Sequence, residues 1–138
     1  MKRYELIDHT ADVGIRSFGQ TLAELFCNAA VGMFEIIADL ETVGIGEVRE
    51  LRLSAKNVED LYLLWHQELL FHSSVDRVVY KEFHFKEISQ QSLLATIRGE
   101  KFNPAKQSLK KEIKAATYHA LKVEETKEGW RGEVIFDV

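Results

Sequence analysis

Two carboxylates and an imidazole lie within five residues near the start of the chain, in the sequence DHTAD. They belong to Asp8, His9 and Asp12, and strand-like sequences flank them on both sides. A further acidic residue, Asp137, follows a hydrophobic run in the ending VIFDV and has no sequence neighbour of opposite charge. Because the ends of a domain often lie close together, Asp12, Asp137 and the terminal carboxylate of Val138 could converge.

Such a convergence of carboxylates would favour a cation. With oxygen ligands and without a cluster of Cys or His, a hard ion such as Ca²⁺ or Mg²⁺ is preferred over zinc. The residues alone also allow a simpler interpretation, in which Asp8 and Asp12 belong to a turn and a strand end and Asp137 is solvated. Both interpretations stay open at this level.

Other residues that could do chemistry favour structural roles. Cys27 lies near the apolar face of a predicted helix without a clear base, which is typical of a core residue. His66 and His72, in HQELLFH, are six residues apart and therefore lie on different helix faces. A metal-dependent hydrolase that uses Asp12 and Asp137 is an alternative, but no third catalytic residue is tied to them in sequence.

The composition predicts one domain over residues 1–138 and disfavours direct nucleic-acid binding. The chain has 22 acidic and 18 basic residues, for a net charge of −4, whereas nucleic-acid binders usually carry a basic excess. The one basic concentration, Lys106–Lys114, is better explained as a solvated face or an edge strand. No apolar run approaches the roughly 20 residues that span a bilayer, and the single cysteine fits a reducing compartment. We therefore expect a cytoplasmic protein that does not enter a membrane.

Hydrophobic periodicity predicts the elements that must position these residues. The strands YELID and DVGIRSFG come first, with Val13, Ile15 and Phe18 on a buried side and an irregularity near Ser17. A helix then runs from Thr21, with Glu24 completing a capping box, to about Asp39. Within it, Gly32 suggests close packing.

The rest of the chain predicts one more helix among five strands. The strand GEVRELRLSA, with a bulge at Arg49–Glu50, precedes a helix that is capped by Asn57 and buries Val58, Leu61, Leu64, Trp65 and Leu69. The segments VVYKEFHFKEIS, SLLATIRGEKF, IKAATYHALKVEE and WRGEVIFDV are predicted strands. The order β-β-α-β-α-β-β-β-β indicates an α+β fold with two helices packed on largely antiparallel β-sheet.

Three segments resemble the archease family, whose members are protein partners of the tRNA-splicing RNA ligase. They are YELIDHTADVGIRSFGQTLAELFCNAAVGMFEII, then IKAATYHAL, and finally GEVIFDV. Their order and the length of the chain match the family from end to end. The resemblance implies an α+β fold and an activating accessory protein rather than a self-contained enzyme.

The resemblance also implies roles for individual residues. Archeases carry a metal ion held by acidic residues near both termini, and on this sequence the ligands would be Asp12, Asp137 and Val138. The ion is expected to be calcium, with magnesium or manganese as alternatives. Lys114 falls on a functional position of the family that would meet the active site of the ligase.

Two histidines, His9 and His119, lie in the same motifs and are further candidates for contact with the partner. The family promotes the guanylylation and multiple turnover of the ligase in tRNA splicing and RNA repair, so RNA would be reached only through the ligase. The family is also discussed as a chaperone or specificity modulator of RNA methyltransferases or other RNA-modifying enzymes. That role is the alternative.

Overall fold

The computed structural model describes residues 2–9 and 12–138, and it describes His9 by its backbone alone. Seven strands, two α-helices and a short 3-10 helix form this part of the chain. In chain order they are β1 (Tyr4–His9), β2 (Asp12–Gly19), α1 (Leu22–Ile37), the 3-10 helix (Leu40–Thr42), β3 (Glu47–Ser54), α2 (Val58–Asp76), β4 (Val78–Ile88), β5 (Ser92–Lys101), β6 (Ala115–Thr126) and β7 (Gly129–Asp137). The predicted order of strands and helices is confirmed.

The strands divide between two antiparallel sheets. The four-stranded sheet has the order β1-β2-β7-β6, and the three-stranded sheet has the order β3-β5-β4. Helix α1 packs on β2 and β4, and α2 packs on β6, β4 and β3, so each helix contacts both sheets. The helices therefore lie between the sheets, and the α+β class that the sequence predicts is confirmed.

Helix α1 begins where the sequence predicts. The Oγ1 atom of Thr21 accepts a hydrogen bond from the backbone N–H of Glu24 at 3.1 Å. The Glu24 carboxylate in turn accepts one from the N–H of Gln20 at 3.3 Å. The first bond satisfies an amide that has no partner in the first turn of the helix, and the second joins the residue before the cap to the same turn. The helix ends at Ile37, slightly before the predicted end near Asp39.

Helix α1 is buried on both sides because it lies between the two sheets. A Cβ atom added at Gly32 would lie 2.9 Å from Cγ of Tyr4 in β1, so the glycine allows the Tyr4 ring to approach the helix. Towards the other sheet, Phe34 stacks on Phe83 of β4 with ring centroids 5.9 Å apart. The predicted close packing at Gly32 is therefore present.

Helix α2 contributes the other half of the core. The side chain of Asn57 accepts a hydrogen bond from a first-turn backbone N–H at 2.8 Å, as the sequence predicts. Leu61, Trp65 and Leu69 are fully buried, and the Trp65 indole N–H donates to the carbonyl oxygen of Phe26 at 3.0 Å. Neither α2 nor any other helix in the described part of the chain is long and apolar enough to cross a membrane.

Two predicted irregularities in the strands are wrong. β2 pairs without a break through Ser17, and β3 pairs without a break through Arg49–Glu50. The sequence predicts that Phe18 lies on the buried side of β2. In the structure Ser17 faces the core and is fully buried, whereas Phe18 lies on the opposite face of the strand. The Tyr62 ring packs beneath this cross-strand pair, because a Cβ atom added at Gly132, opposite Ser17, would lie 2.8 Å from Cζ of Tyr62.

Candidate functional site

Three strands of the four-stranded sheet bring their ends together at one point. β2 begins at Asp12, β7 ends at Asp137 and β6 begins at Ala115. In the antiparallel register Asp137 lies opposite Asp12 on one side and opposite Ala115 on the other. Neighbouring strands are about 4.8 Å apart, so segments distant in sequence meet here. We refer to Asp12 and Asp137 as the aspartate pair.

The aspartate pair lies on the face of the sheet that points away from the helices. Residues directly opposite on paired strands share a face, and faces alternate along each strand. The next pair along, Val13 and Phe136, faces the core, where Phe136 is fully buried. Asp137 is exposed and Asp12 is half-buried. The two carboxylates therefore project from the outer face, with Cβ atoms about 5 Å apart.

Lys114 is joined to the aspartate pair through the main chain. Its backbone N–H donates a hydrogen bond to the carbonyl oxygen of Asp137 at 2.8 Å. The side chain is exposed and lines a groove beside α2. Within the part of the chain that the structure describes, its ammonium group forms no ion pair. The lysine thus has a fixed backbone position and a side chain that a partner can reach.

The predicted metal ligands offer oxygen atoms only, which suits a hard cation such as Ca²⁺. Val138 packs partly against the core and so holds the chain next to Asp137. Among the residues described, no group of three or more His, Cys, Asp or Glu side chains is placed to hold a metal ion. Ca²⁺ takes about six to eight oxygen ligands. The set Asp12, Asp137 and Val138 therefore fits the ion chemically and leaves further positions to water, main-chain oxygens or a partner.

The two motif histidines lie at different distances from the aspartate pair. His9 ends β1 directly opposite Asp12, and its side chain is outside the described part of the structure. His119 lies in a bulge of β6, between Thr117 and Lys122, where the pairing with β7 shifts register. Its backbone N–H donates to Oγ1 of Thr117 at 3.3 Å. The fold thus places the backbone of His9, and not that of His119, beside the pair.

An ion-pair network on the same outer face was missed by the sequence analysis. The Nε atom of Arg16 donates to Glu133 at 2.5 Å, and its Nη1 atom donates to Glu5 at 2.9 Å. These contacts join β1, β2 and β7, and hydrogen bonds from Lys2 and Arg16 lower the pKa of Glu5. Alternation along β2 shows that Arg16 shares the face of Asp12, because the two lie an even number of residues apart, but it does not show which strands supply its partners.

The residues that the sequence assigned to structural roles lie away from this surface. His66 is fully buried, with Nδ1 2.7 Å from the carbonyl oxygen of Tyr62. Burial lowers the pKa of His66 to about 4, although the carbonyl groups of Tyr62 and Ala29 act in the opposite direction. Cys27 is half-buried, and burial raises the pKa of its thiol. A thiol with a raised pKa is a poor nucleophile.

Comparison with known proteins agrees with this arrangement over the whole chain. The sequence model of the Archease protein family matches residues 4–138. Protein archease of Methanosarcina mazei is 39% identical over 141 residues, which cover 99% of this chain and 97% of the relative. Protein archease of Pyrococcus abyssi is 36% identical over 142 residues, with 100% of both chains covered.

Solved structures have the same fold. The solution structure of protein 1598 from Methanobacterium thermoautotrophicum aligns with a TM-score of 0.84 at 30% identity and covers 100% of both chains. The crystal structure of an archease from Thermotoga maritima, described as a possible chaperone, aligns with a TM-score of 0.65 at 24% identity and covers 96% of this chain and 94% of that one. Sequence and fold together show that the chain belongs to the archease family.

Proposed function

We propose that this protein is a metal-binding cofactor that activates the tRNA-splicing RNA ligase by promoting its guanylylation and multiple turnover. One observation carries the proposal. Asp12 from the first family motif lies opposite Asp137 from the last, and Lys114 from the middle motif donates its backbone N–H to Asp137. Three segments that are far apart in sequence thus meet at one end of the four-stranded sheet.

The fold gives this surface a defined geometry. The aspartate pair lies in a regular β-ladder between β2 and β7, so main-chain hydrogen bonds fix the backbone positions of both residues. Asp12, Asp137 and Val138 would hold the cation, which when bound supplies positive charge for phosphate or carboxylate oxygens of the partner. Lys114 would offer its ammonium group to an anionic group of the ligase or its nucleotide.

The charge of the chain supports an accessory role in which RNA is reached through the ligase. The net charge is −4, and direct binding of RNA relies mainly on contacts from cationic side chains to phosphate. Two surface carboxylates at one end of the sheet are better suited to contact with a metal-containing protein site than to contact with RNA phosphates. We therefore propose the ligase as the partner and the cytoplasm as the place of action.

Ligation by catalytic amounts of the cognate ligase, with and without this protein, tests the proposal. We expect the protein to convert a single round of joining into multiple rounds and to increase the amount of guanylylated ligase. Equal product in both reactions would contradict it. The protein should be inactive when it is incubated alone with phosphoesters, and turnover there would favour a metal-dependent hydrolase.

The alternative function is that of a chaperone or specificity modulator for an RNA methyltransferase or another RNA-modifying enzyme. It is favoured by the description of the Thermotoga maritima archease as a possible chaperone. Affinity purification with this protein as bait separates the two functions. Recovery of a methyltransferase without the ligase would support the alternative, whereas recovery of the ligase would support activation.

A further inference from the structure

A groove of about 1000 Å³ runs between the second half of α2 and the segment 109–116, which includes the first two residues of β6. The C-terminal ends of both helices border it, at Ile37 of α1 and at Arg77 after α2. Lys114 lines the groove and is also bonded to Asp137. Lys114 therefore joins the groove to the candidate site through its backbone, although the groove is formed by different elements and the aspartate pair lies on the face of the sheet that points away from the helices.

The walls of the groove carry apolar side chains that are exposed. Phe71 and Val75 of α2 are 57% and 63% exposed, and Leu109 on the opposite wall is 55% exposed. Phe71 and Val75 are four residues apart, so they lie on the same face of α2. This face lies beside the buried face formed by Leu61, Trp65 and Leu69, about 100° further around the helix. Exposed apolar side chains that line one groove are typical of an interaction surface.

The cations around the groove are mostly without internal partners. Lys110 has a structural role, because its backbone N–H and Nζ donate to carbonyl oxygens in the last turn of α1 at 2.7 and 3.2 Å. Lys111, Lys114 and Arg77 form no ion pair with any described residue. Glu112 is the one acidic residue in the groove lining. The surface is therefore locally basic on a chain whose net charge is −4.

The segment beside the groove also has unused main-chain groups. Residues 110–114 belong to no strand and to no helix. Lys110 and Lys114 anchor the two ends of this segment through their backbone amides. Between them, the amides of Lys111, Glu112 and Ile113 donate no hydrogen bond to the described residues. Such amides can pair with the backbone of an added extended chain.

We propose that this groove docks an extended acidic segment of a partner protein that inserts apolar side chains between Phe71, Val75 and Leu109. Acidic side chains of the segment would pair with Lys111, Arg77 and Lys114. The identification of this partner with the RNA ligase rests on the proposed function. The chemistry of the groove does not, because it follows from the apolar walls and the unpaired cations alone.

A protein segment is a better occupant than RNA. Single-stranded RNA is bound by aromatic platforms together with cations, and here the groove exposes one aromatic ring, Phe71, among aliphatic side chains. The negative net charge of the chain also opposes a polyanion at long range. A short acidic segment with apolar side chains can contact both the apolar walls and the cations of the groove. It carries fewer negative charges than RNA, so the net charge of the chain repels it less.

The first test measures the affinity of the purified ligase for full-length variants of this protein. Val75→Ser and Lys111→Glu should each weaken binding by roughly tenfold. The matched controls are Val48→Ser, an exposed valine of β3, and Lys56→Glu, an exposed lysine before α2. Both controls should bind like the wild type. If the groove variants also bind like the wild type, the docking surface is wrong even when activation is confirmed.

A second test does not depend on the ligase. Isotope-labelled protein is titrated by NMR with a short peptide that alternates glutamate and leucine, with its lysine–leucine counterpart, and with a single-stranded RNA. The acidic peptide should shift the amides of residues 109–114 and of the second half of α2, and Lys111→Glu should reduce the shifts at least severalfold. Absence of these shifts, equal shifts with the basic peptide, or groove shifts with RNA would each overturn the proposal. If the ligase fails to bind while this peptide result is obtained, the activating function fails and the groove stands.

Discussion

Two aspartates held opposite each other at adjacent strand ends form the part of this protein with the clearest chemical consequence. Like charges that face each other directly across a β-ladder oppose folding, and a bound cation reverses the effect. The fold keeps the aspartate pair on the outer face, while the next cross-strand pair, Val13 and Phe136, faces the core. The register between β2 and β7 therefore determines both the site and the packing beneath it.

A cation held by the aspartate pair should stabilise the folded state. Calcium at about one hundred times its dissociation constant should add about 2.7 kcal/mol to the free energy of unfolding. We expect Asp137→Asn to lose most of this gain, because it removes the charge of one proposed ligand. Thermal unfolding with calcium and with a chelator measures the effect. Glu87→Gln, an exposed acidic residue of β4, is the control, and an equal calcium response in Asp137→Asn would refute the ligand assignment.

His66 should make the free energy of unfolding depend on pH. The dependence should extend above the pH range in which most carboxylates titrate. Burial lowers its pKa in the folded protein to about 4, whereas an unfolded histidine titrates near 6.5. Above pH ~6.5 His66 is neutral in both the folded and the unfolded protein, so it does not make the free energy of unfolding depend on pH there. As the pH falls towards ~4 the unfolded state binds the proton first, and stability should fall by on the order of 3 kcal/mol.

The measurement is urea unfolding between neutral pH and about pH 4. His66→Gln should flatten the dependence through this range, whereas His84→Gln, at an exposed position on β4, should leave it unchanged. The readout is the change of stability with pH and not the stability itself, so a cost of the substitution at neutral pH does not affect it. A variant at His66 with the full wild-type slope would show that another group is responsible.

Side-chain chemistry could be predicted from sequence only in part. Asp12 and Asp137 could be selected because acidic residues at strand ends near the two ends of a domain are candidates to meet. The network of Arg16 with Glu5 and Glu133 was missed. Its members come from three strands, and no local pattern shows which strands are neighbours.

At the level of elements, the junction between β2 and α1 depends on a close approach of the strand to the helix. Gly19 ends β2, and a Cβ atom added there would lie 2.4 Å from the backbone nitrogen of Leu25 and 2.8 Å from the carbonyl carbon of Glu24. These are backbone atoms of the first turns of α1, which cannot move without shifting the helix. A glycine is therefore required for the strand to approach the helix.

Gly19→Ala should lower the free energy of unfolding by about 1–3 kcal/mol, as for other overpacked sites. Gly46→Ala is the matched control, because a Cβ atom added there would meet nothing within 4 Å. The control should be neutral or slightly stabilising, since alanine restricts the unfolded chain more than glycine does. Chemical denaturation of both variants checks the prediction. Equal stability of the two variants would contradict the contact.

Most elements could be predicted because their signals are local. The caps at Thr21 and Asn57 and the apolar periodicities lie within the elements themselves. The predicted irregularity at Ser17 is wrong because it assumed that Phe18 faces the core. Ser17 takes that place, opposite Gly132, where Tyr62 arrives from α2, and Tyr62 is distant in sequence. The division of the strands into two sheets could not be predicted for the same reason, because strand pairing depends on residues that are distant in sequence.

At the level of the whole molecule, the fold brings the first, middle and last motifs to one end of the four-stranded sheet. Lys114 connects the two surfaces, because its amide is bonded to Asp137 and its side chain lines the groove beside α2. A partner that docks an acidic segment in the groove would thus place its neighbouring surface against the aspartate pair. Docking and activation can be separated by variants of Val75 and Lys111 on one side and of the aspartate pair on the other, because Lys114 is the one residue assigned to both.

Multiple-turnover ligation by the cognate ligase, with the wild-type protein and with Asp12→Ala and Asp137→Ala, tests the central claim most directly. The account predicts that both variants lose most of the stimulation while Glu87→Gln keeps it. Thermal unfolding in the presence of a chelator should confirm that the variants are folded. Undiminished stimulation by both aspartate variants would contradict the account.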